Sequence, residues 1–551
     1  MRINITFLSV ILFLTLPVCI LSAKKDNSFE ISKNSEIFHN VLRTIDNYYV
    51  DSVDIGKIVN NGIENMLLDI DPYTVYYPQD KQSDIKMLTT GKYAGIGAII
   101  RKYQDCPWIV VEEPYQNMPA HRAGLKAGDE ILRVDGMDMK NKTTEFVSDN
   151  LRGAPNSKLT VTVRRPGVQD TLDIEIVRSA IALPPVPYYG IINGYGYILL
   201  DSFTEGCSQI VRNAVTGLMH SKIKGVILDL RNNGGGLLDE AVKIAGLFVP
   251  EGTVITTTRG AKASESREYA TKSKPVDTKI PLAVLVNNAS ASASEIVSGA
   301  LQDLDRAVII GNRTFGKGLV QSTRTLPYGG TLKITTAKYY IPSGRCIQAI
   351  DYSKHNSNGK GSLIPDSLTS IFYTMNGRQV RDGGGIRPDI ECKLDTMSEL
   401  LYAISVSKQY FDYLNNYCVG HKTIAPLKEF SVTDADYRDF KKFMTDNGFK
   451  YKNATNHLIE DLKQVAKEEH LYNIAKEQIE ALENKVAYDA DRDMDAISKD
   501  IRILIATNLA TRYYFQSGAV QQGLKDDIVL DSAINVLGNK TRLKALLGNQ
   551  N

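Results

Sequence analysis

The sequence predicts an α+β multidomain chain: N-terminal helices, a small β-rich module, a mixed α/β core and a C-terminal helical extension. Three observations carry that expectation. Apolar positions recur at helical spacing early and late in the chain. Short β-type runs crowd residues 90–180, and near-continuous apolar runs alternate with helix-like segments from about 190 to 395. At 551 residues the chain is too long for one ordinary core, so two to four domains are expected.

In the first region, Ile37, Phe38, Val41, Leu42 and Ile45, then Ile58, Ile63, Met66 and Leu67, mark two helices separated by Tyr48-Tyr49-Val50-Asp51. Asp69-Ile70-Asp71-Pro72 ends the second, because the residue before proline is disfavoured in helix. The runs AIIRK, WIVVEE, LTVTVRR and TLDIEIVR read as strands, with Glu130–Val134 a further short strand between the turn glycines Gly124 and Gly128 and the rest of the module. YGYILLDSF, GVILDLR, LAVLVNN and AVIIGN are apolar and β-branched, as in a sheet buried on both faces. Past about 395, segments such as MSELLYAISVSKQYFDYL and DMDAISKDIRILIATNLATRYYF carry helical spacing with charged outer faces.

Composition narrows the function. The chain is 43% hydrophobic and 23% charged, with a net charge of +2. That is ordinary for a globular protein and gives no polybasic footprint, so nucleic acid is not an expected partner. Residues 1–23 read as an export signal: Arg2, the apolar run ITFLSVILFLTLPVCIL and Leu21-Ser22-Ala23 before Lys24-Lys25. A retained anchor or lipidation at Cys19 stays open, the latter disfavoured by the bulk of Val18. Cys106, Cys207, Cys346, Cys392 and Cys418 are scattered without a CxxC, and read as buried thiols rather than a disulfide framework or metal site.

Three segments point to chemistry. Asn287-Asn288-Ala289-Ser290-Ala291-Ser292-Ala293-Ser294-Glu295 follows a strand and leads into a helix, where helix-start N–H groups can stabilise an oxyanion. The bland alternative is helix capping by Ser292 or Ser294. Thr314-Phe315-Gly316-Lys317-Gly318 lies about 25 residues past Ser292, a spacing that suits a strand–helix–strand return to the same sheet end. None of the seven histidines sits in a glycine-rich turn beside these elements, so Lys317 is the available base for a serine nucleophile. A neutral lysine requires its pKa to fall from ~10.4 to ~7, at about 4–5 kcal/mol, which burial near Phe315, Leu319 and Val320 would supply. Gln321 is placed to orient the amine. Asp229-Leu230-Arg231-Asn232-Asn233-Gly234-Gly235-Gly236 supplies glycines whose amides approach a ligand closely. No metal-ligand set and no GxxxxGK[ST] phosphate loop is present, so no cofactor is expected.

The blocks NNASASASEIVSGALQD, TFGKGLVQ, LDLRNNGGG and LKITTAKYYIPSGRCIQ resemble the signature blocks of the carboxy-terminal processing peptidases, also called tail-specific proteases. The resemblance runs over roughly residues 30–395 in the family's order. It implies Ser292 as nucleophile, Lys317 as base, Gln321 as the base's partner, and Gly235 and Ala293 as oxyanion donors. It also implies that the α/β core is a crotonase/ClpP-like spiral. Asn288-Ala289 departs from the glycine more usual before the serines. The β-rich module resembles a PDZ domain, with Gly95, Ile96 and Gly97 in the loop that binds a peptide carboxylate.

The organisation expected is therefore a signal peptide at 1–23, an N-terminal helical domain at 28–85, a PDZ domain at 86–182, a serine protease core at 183–395 and a C-terminal helical region at 396–551. The function expected is an exported, periplasmic or cell-envelope serine endopeptidase acting near protein C-termini, its partners being protein and peptide substrates. A homodimer and membrane association through the N-terminal segment stay open. The rival readings are a catalytically weak PDZ adaptor, against which both Ser292 and Lys317 speak, and a crotonase-type acyl-CoA enzyme, against which an export signal speaks.

Overall fold

The computed structural model describes residues 27–355, 361–393 and 397–548, so the segment read as an export signal lies outside the described residues. The chain divides into two units between Leu68 and Asp69. The first holds the two expected helices, α1 Ser28–Tyr48 and α2 Ile55–Leu68. α1 buries no residue completely and leaves Phe29, Ile31, Phe38 and Val41 exposed.

The second unit begins its β-rich module with β1 Lys92–Gly95, β2 Ala98–Lys102, β3 Ile109–Pro114 and β4 Glu130–Val134. Helix α3 Thr144–Leu151 follows, capped by the Thr143 hydroxyl, which accepts from the Phe146 amide. β5 Lys158–Arg164, β6 Leu172–Val177 and β7 Ser179–Ala182 complete the module. The sheet order is β2-β3-β4-β5-β6, and β1 pairs with β7 apart from it. β5 shows why the fold forms: Leu159, Val161 and Val163 are buried while the residues between them face outward, the period of two that one covered face requires. β2 is an edge strand, with α3 beside it.

The α/β core is a six-stranded sheet in the order β8 Tyr188–Ile192, β9 Tyr195–Leu199, β10 Val226–Asp229, β11 Leu282–Val286, β12 Val308–Gly311 and β13 Ile390–Glu391. Only β8–β9 is antiparallel. Leu228, Val284 and Ile309 stand in register on one face, covered by α4 Cys207–Met219, α5 Leu238–Ala245 and α6 Ala293–Asp303. Ile227, Leu285 and Ile310 point to the other face. A second sheet joins Val75–Tyr77, Thr331–Tyr340, Val254–Gly260 and Arg267–Ala270, with Leu319–Thr325 hairpinned to Thr331–Tyr340.

Beyond residue 397 the described chain is helical, around a core that includes Tyr410, Tyr413, Phe440, Ile505 and Leu509. The segment with helical spacing from Met397 forms two helices that part at Ser407, which is extended and whose hydroxyl caps Lys408–Gly420 by accepting from the Tyr410 amide. α7 Ser498–Gly523 has one non-helical residue, Phe515. α8 spans Ile528–Gly538 and lies against the sheet. Its Val529, Leu530, Ala533, Val536 and Leu537 pack on Tyr197, Ile227, Leu285 and Ile310. Each such side chain contributes about 1.5–3 kcal/mol on burial. α8 is thus a layer of the α/β core rather than an appendage.

Candidate active site

The glycine-rich loop after β10 is held at its root by charge. Arg231 reaches Asp229 at 2.6 Å and Asp527, the N-cap of α8, at 2.7 Å, while the Tyr197 hydroxyl donates to Asp229 at 2.7 Å. Asn233, fully buried, donates through Nδ2 to the Leu200 carbonyl at 2.7 Å and accepts the Gly235 amide on Oδ1 at 2.8 Å. Its own carbonyl accepts from the Ala291 amide at 3.0 Å and the Ser294 hydroxyl at 2.8 Å. The Ser290 hydroxyl donates to the Leu230 carbonyl at 2.8 Å. Ser290 and Ser294 therefore stitch the serine turn to the glycine loop.

Between them, Ser292 is the N-cap residue of α6, half-buried, with φ of 56° and ψ of −112°. A non-glycine residue in that region is strained, and such strain collects where the fold must aim one side chain. Gly235 packs against it: φ is 103°, and a Cβ there would lie 2.7 Å from the Ala291 carbonyl and 2.8 Å from Ser292 Cβ. Only glycine fits. The Gly235 amide is engaged by Asn233 in this arrangement, whereas Ala293 opens α6, where amides lack an intrahelical acceptor.

Glu295, a residue not singled out from the sequence, organises the site. Its buried carboxylate accepts four hydrogen bonds: Thr314 Oγ1 at 2.6 Å and the Gly316 amide at 2.7 Å on Oε1, the Ser292 amide at 2.8 Å and the Lys317 amide at 2.9 Å on Oε2. Burial pushes its pKa up, and these four donors pull it back. Tyr339, also buried, adds a second tie. Its hydroxyl lies 3.1 Å from the Ser292 carbonyl and 2.6 Å from that of Lys317. The structure thus brings Ser292, Ala293, Gly235 and Lys317 into one site.

Lys317 is largely buried, and its pKa falls to about 8, first because of burial and then because of Lys333, against the opposing pull of Asp71 and Glu295. That fall corresponds to about 3 kcal/mol against the charged amine. Of the three burying residues expected from the sequence, Leu319 is buried and Val320 partly so, but Phe315 is 47% exposed, and the amine lies over the ring of Tyr73, 4.4 Å from its centroid. A ring face returns about 0.5–2 kcal/mol to an ammonium, so burial wins. Gln321 gives its amide to Thr335 Oγ1 at 3.2 Å rather than to Lys317.

In the β-rich module, the Ile96 carbonyl accepts from the Ala120 amide at 2.8 Å and the Gly97 carbonyl from the Tyr115 amide at 3.0 Å. In a trans peptide the Gly97 N–H points opposite the Ile96 carbonyl, away from that inner bond. Gly97 has φ of 72°, and a Cβ there would lie 2.7 Å from Met118 Cβ. Burial raises the Tyr93 phenol's pKa, opposed by Arg152 and the Gly97 amide. Gly95, Ile96 and Gly97 form the turn between β1 and β2, at the end of the edge strand facing α3.

A serine turn tied through Glu295 to a desolvated lysine, in a chain that also carries a β-module with an open sheet edge, is the arrangement of a serine peptidase with an accessory domain. The comparisons agree. Residues 194–355 match peptidase family S41, residues 84–164 match the PDZ domain, and residues 400–537 match the C-terminal helical domain described for probable PDZ-proteases. The carboxy-terminal-processing protease of Bartonella bacilliformis is 37% identical over 345 residues, 62% of this chain and 79% of that protein. A probable CtpA-like serine protease of Staphylococcus aureus is 33% identical over 345 residues, 61% of this chain and 68% of that one. The solved photosystem II D1 C-terminal processing protease is 29% identical, covering 60% of this chain and 92% of that one, at a TM-score of 0.34. The chain belongs to peptidase family S41, the carboxy-terminal-processing proteases, and is a serine-type endopeptidase with a PDZ domain.

Proposed function

We propose that this is an exported endopeptidase that takes hold of protein C-termini through its PDZ domain and cleaves near them with a Ser292–Lys317 dyad. The observation that carries the reading is Glu295 Oε2, which accepts from the amides of both residues and so fixes nucleophile and base relative to one another. The neutral amine of Lys317, swung from Tyr73 toward Ser292, takes the hydroxyl proton as Oγ attacks the scissile carbonyl. The oxyanion faces the Ala293 amide and the glycine loop at the N-terminus of α6. The lysinium then protonates the leaving amine, and water, deprotonated by the same lysine, releases the acyl group.

Export rests on the sequence of residues 1–23. Among the described residues no helix is long and apolar enough to cross a membrane. Support for a homodimer lies in the apolar residues that α1 leaves exposed. The test is mass spectrometry of products from a denatured protein library, with Ser292→Ala as control. Cleavage near C-termini that disappears in the variant supports the reading. Products that persist in the variant would take Ser292 out of the mechanism, and an absence of products from either protein would leave a PDZ adaptor.

A further inference from the structure

Asp69-Ile70-Asp71-Pro72 reads in the sequence as a helix stop, yet the structure carries its last two residues and the following Tyr73-Thr74 up against Lys317. Asp71 is 5% exposed, and its carboxylate accepts from the amides of Tyr73 at 2.8 Å and Thr74 at 2.7 Å. Thr74 Oγ1 accepts from the Thr335 amide at 3.3 Å, and Thr335 Oγ1 holds Gln321. The strand that follows, Val75–Tyr77, pairs with Thr331–Lys333. The Tyr73 ring is edge-on to Tyr352, with centroids 6.0 Å apart, and its oxygen accepts from the Tyr352 hydroxyl at 3.4 Å. The backbone and both rings are therefore fixed, and one face of Tyr73 is turned to the Lys317 amine at 4.4 Å.

We propose that Tyr73 is a positioning residue for the base, its ring face holding the Lys317 ammonium at rest and again after the amine has taken the Ser292 proton. The proposal rests on the Ser292–Lys317 reading and deepens it. A general base buried this far needs some group to receive its charged form. A facing carboxylate would hold the proton too firmly, and a hydroxyl donor would favour the neutral amine. An aromatic face attracts the cation modestly and keeps no proton. Tyr73 cannot itself be the base, because burial lifts its phenol pKa far above the ordinary value, with Tyr352, Glu295 and Asp71 adding to the rise. The other groups bearing on Lys317 are Lys333 from Thr331–Tyr340, which disfavours the charge, and Asp71 and Glu295, which favour it. The Tyr339 hydroxyl, from the same strand as Lys333, contacts the Lys317 carbonyl.

The test replaces Tyr73 in the full chain with Phe and then with mono-, di- and trifluorinated phenylalanine, which drain the ring face of electron density at nearly constant size. The readout is kcat and KM against pH on one cleavable protein. Phe should keep kcat within about threefold, since the ring remains. Across the fluorinated series the kinetic pKa should fall in steps, by about half to one unit in total, with the plateau kcat falling about 3–30-fold and KM unchanged. A structural role alone would not track ring electronics. A kinetic pKa constant across the series overturns the proposal, as does a Phe variant as impaired as the trifluorinated one. Lys317→Ala is assayed alongside: activity retained there sinks the dyad reading itself, whatever Tyr73 does.

Discussion

The carboxylate of Asp527 lies 2.7 Å from the guanidinium of Arg231, so the cap of a C-terminal helix is tied to the root of the glycine loop. Asp527 also caps α8 by accepting from the Val529 and Leu530 amides at 3.0 and 3.1 Å. Asn at this position keeps a good cap but removes the charge. Asp527→Asn should therefore destabilise the protein by about 1–3 kcal/mol and lower kcat several-fold with KM little changed, because Gly235 and its neighbours lose their brace. Thermal melts and steady-state kinetics decide. A lowered melting temperature with kcat unchanged would show that the loop holds its shape without Asp527.

The three alternating serines should separate by function. Ser292→Ala and Lys317→Ala should each abolish cleavage, and the double variant should be no worse than either, since both act in one proton transfer. Ser290 and Ser294 are fully buried and bonded to the glycine loop. Ser290→Ala and Ser294→Ala should cost about 1–3 kcal/mol of stability each while retaining measurable turnover. Complete inactivity of a folded Ser294→Ala protein would place the nucleophile assignment in doubt.

The pH dependence of the rate follows from Lys317. Only the neutral amine accepts the serine proton, and its pKa is drawn down to about 8. The rate should rise tenfold per pH unit below that value and level off above it. The linked stability has the same sign: between about 8 and the unfolded value near 10.5 the unfolded chain binds the extra proton, so this group favours folding as pH rises. A rate profile flat from pH 5 to 9 would remove lysine from the mechanism.

Much of the architecture was legible because the sheet is buried on both faces. Ile227, Leu228, Val284, Leu285, Ile309 and Ile310 leave no polar break, and the period-two pattern of Leu159, Val161 and Val163 identified the other module as half-covered. Ser292, Lys317 and the glycine loop stand out as candidates in the sequence because hydroxyl, amine and glycines sit at strand ends. Tyr73, Glu295 and Tyr339 do not, since nothing in the local sequence separates a site residue from a helix stop, a first-turn acid or a core aromatic. Glu295 had one readable signal, its place three residues after Ser292 in a capping box. α8 was missed although its apolar residues hold helical spacing, because the sheet face it covers is contributed by residues more than two hundred positions earlier.

Glu113 supplies a prediction at the contact of the PDZ domain with the C-terminal helices. It is buried on β3 and accepts from the Gln516 amide at 2.8 Å, beside Phe515, whose φ of 58° interrupts α7. Burial pushes the Glu113 carboxyl up to about 7, against the opposing Gln516 bond. The folded state then holds a proton that the unfolded chain has lost between about 4.5 and 7, so stability falls as pH rises through that window. Glu113→Gln keeps an acceptor without the charge. It should leave stability nearly unchanged at pH 4.5 and raise it by about 1–3 kcal/mol at pH 8. Melting curves for the two proteins that stay parallel across this range would show that Glu113 ionises freely.

Gly95, Ile96 and Gly97 form the turn proposed to hold a peptide carboxylate. The Gly97 amide points away from the bonds that anchor Ile96 and Gly97 and toward the Tyr93 phenol, whose place a peptide carboxylate would take at the end of the edge strand β2, where a peptide can add as a strand beside α3. A free carboxylate held by such amides gains about 1.5–3 kcal/mol per charge-assisted bond. Amidating a substrate's C-terminus removes the charge and should weaken recognition about tenfold or more. The dyad acts upstream of that end, so kcat on a saturating substrate should change little and KM should carry the loss. Chemical amidation is the cleaner perturbation than substitution, because Gly97→Val would drive a side chain into Met118 and strain a positive φ, deforming the turn whether or not it binds peptide. The comparison is one cleavable protein in its free-acid and amidated forms, with an excess of free-acid peptide as competitor. Slower cleavage of the amidated form, and inhibition by the acid peptide but not by its amide, are the expected results. Equal rates for the two substrates would mean that the PDZ domain does not read C-termini in this protein, and that its targeting lies on another surface of the chain.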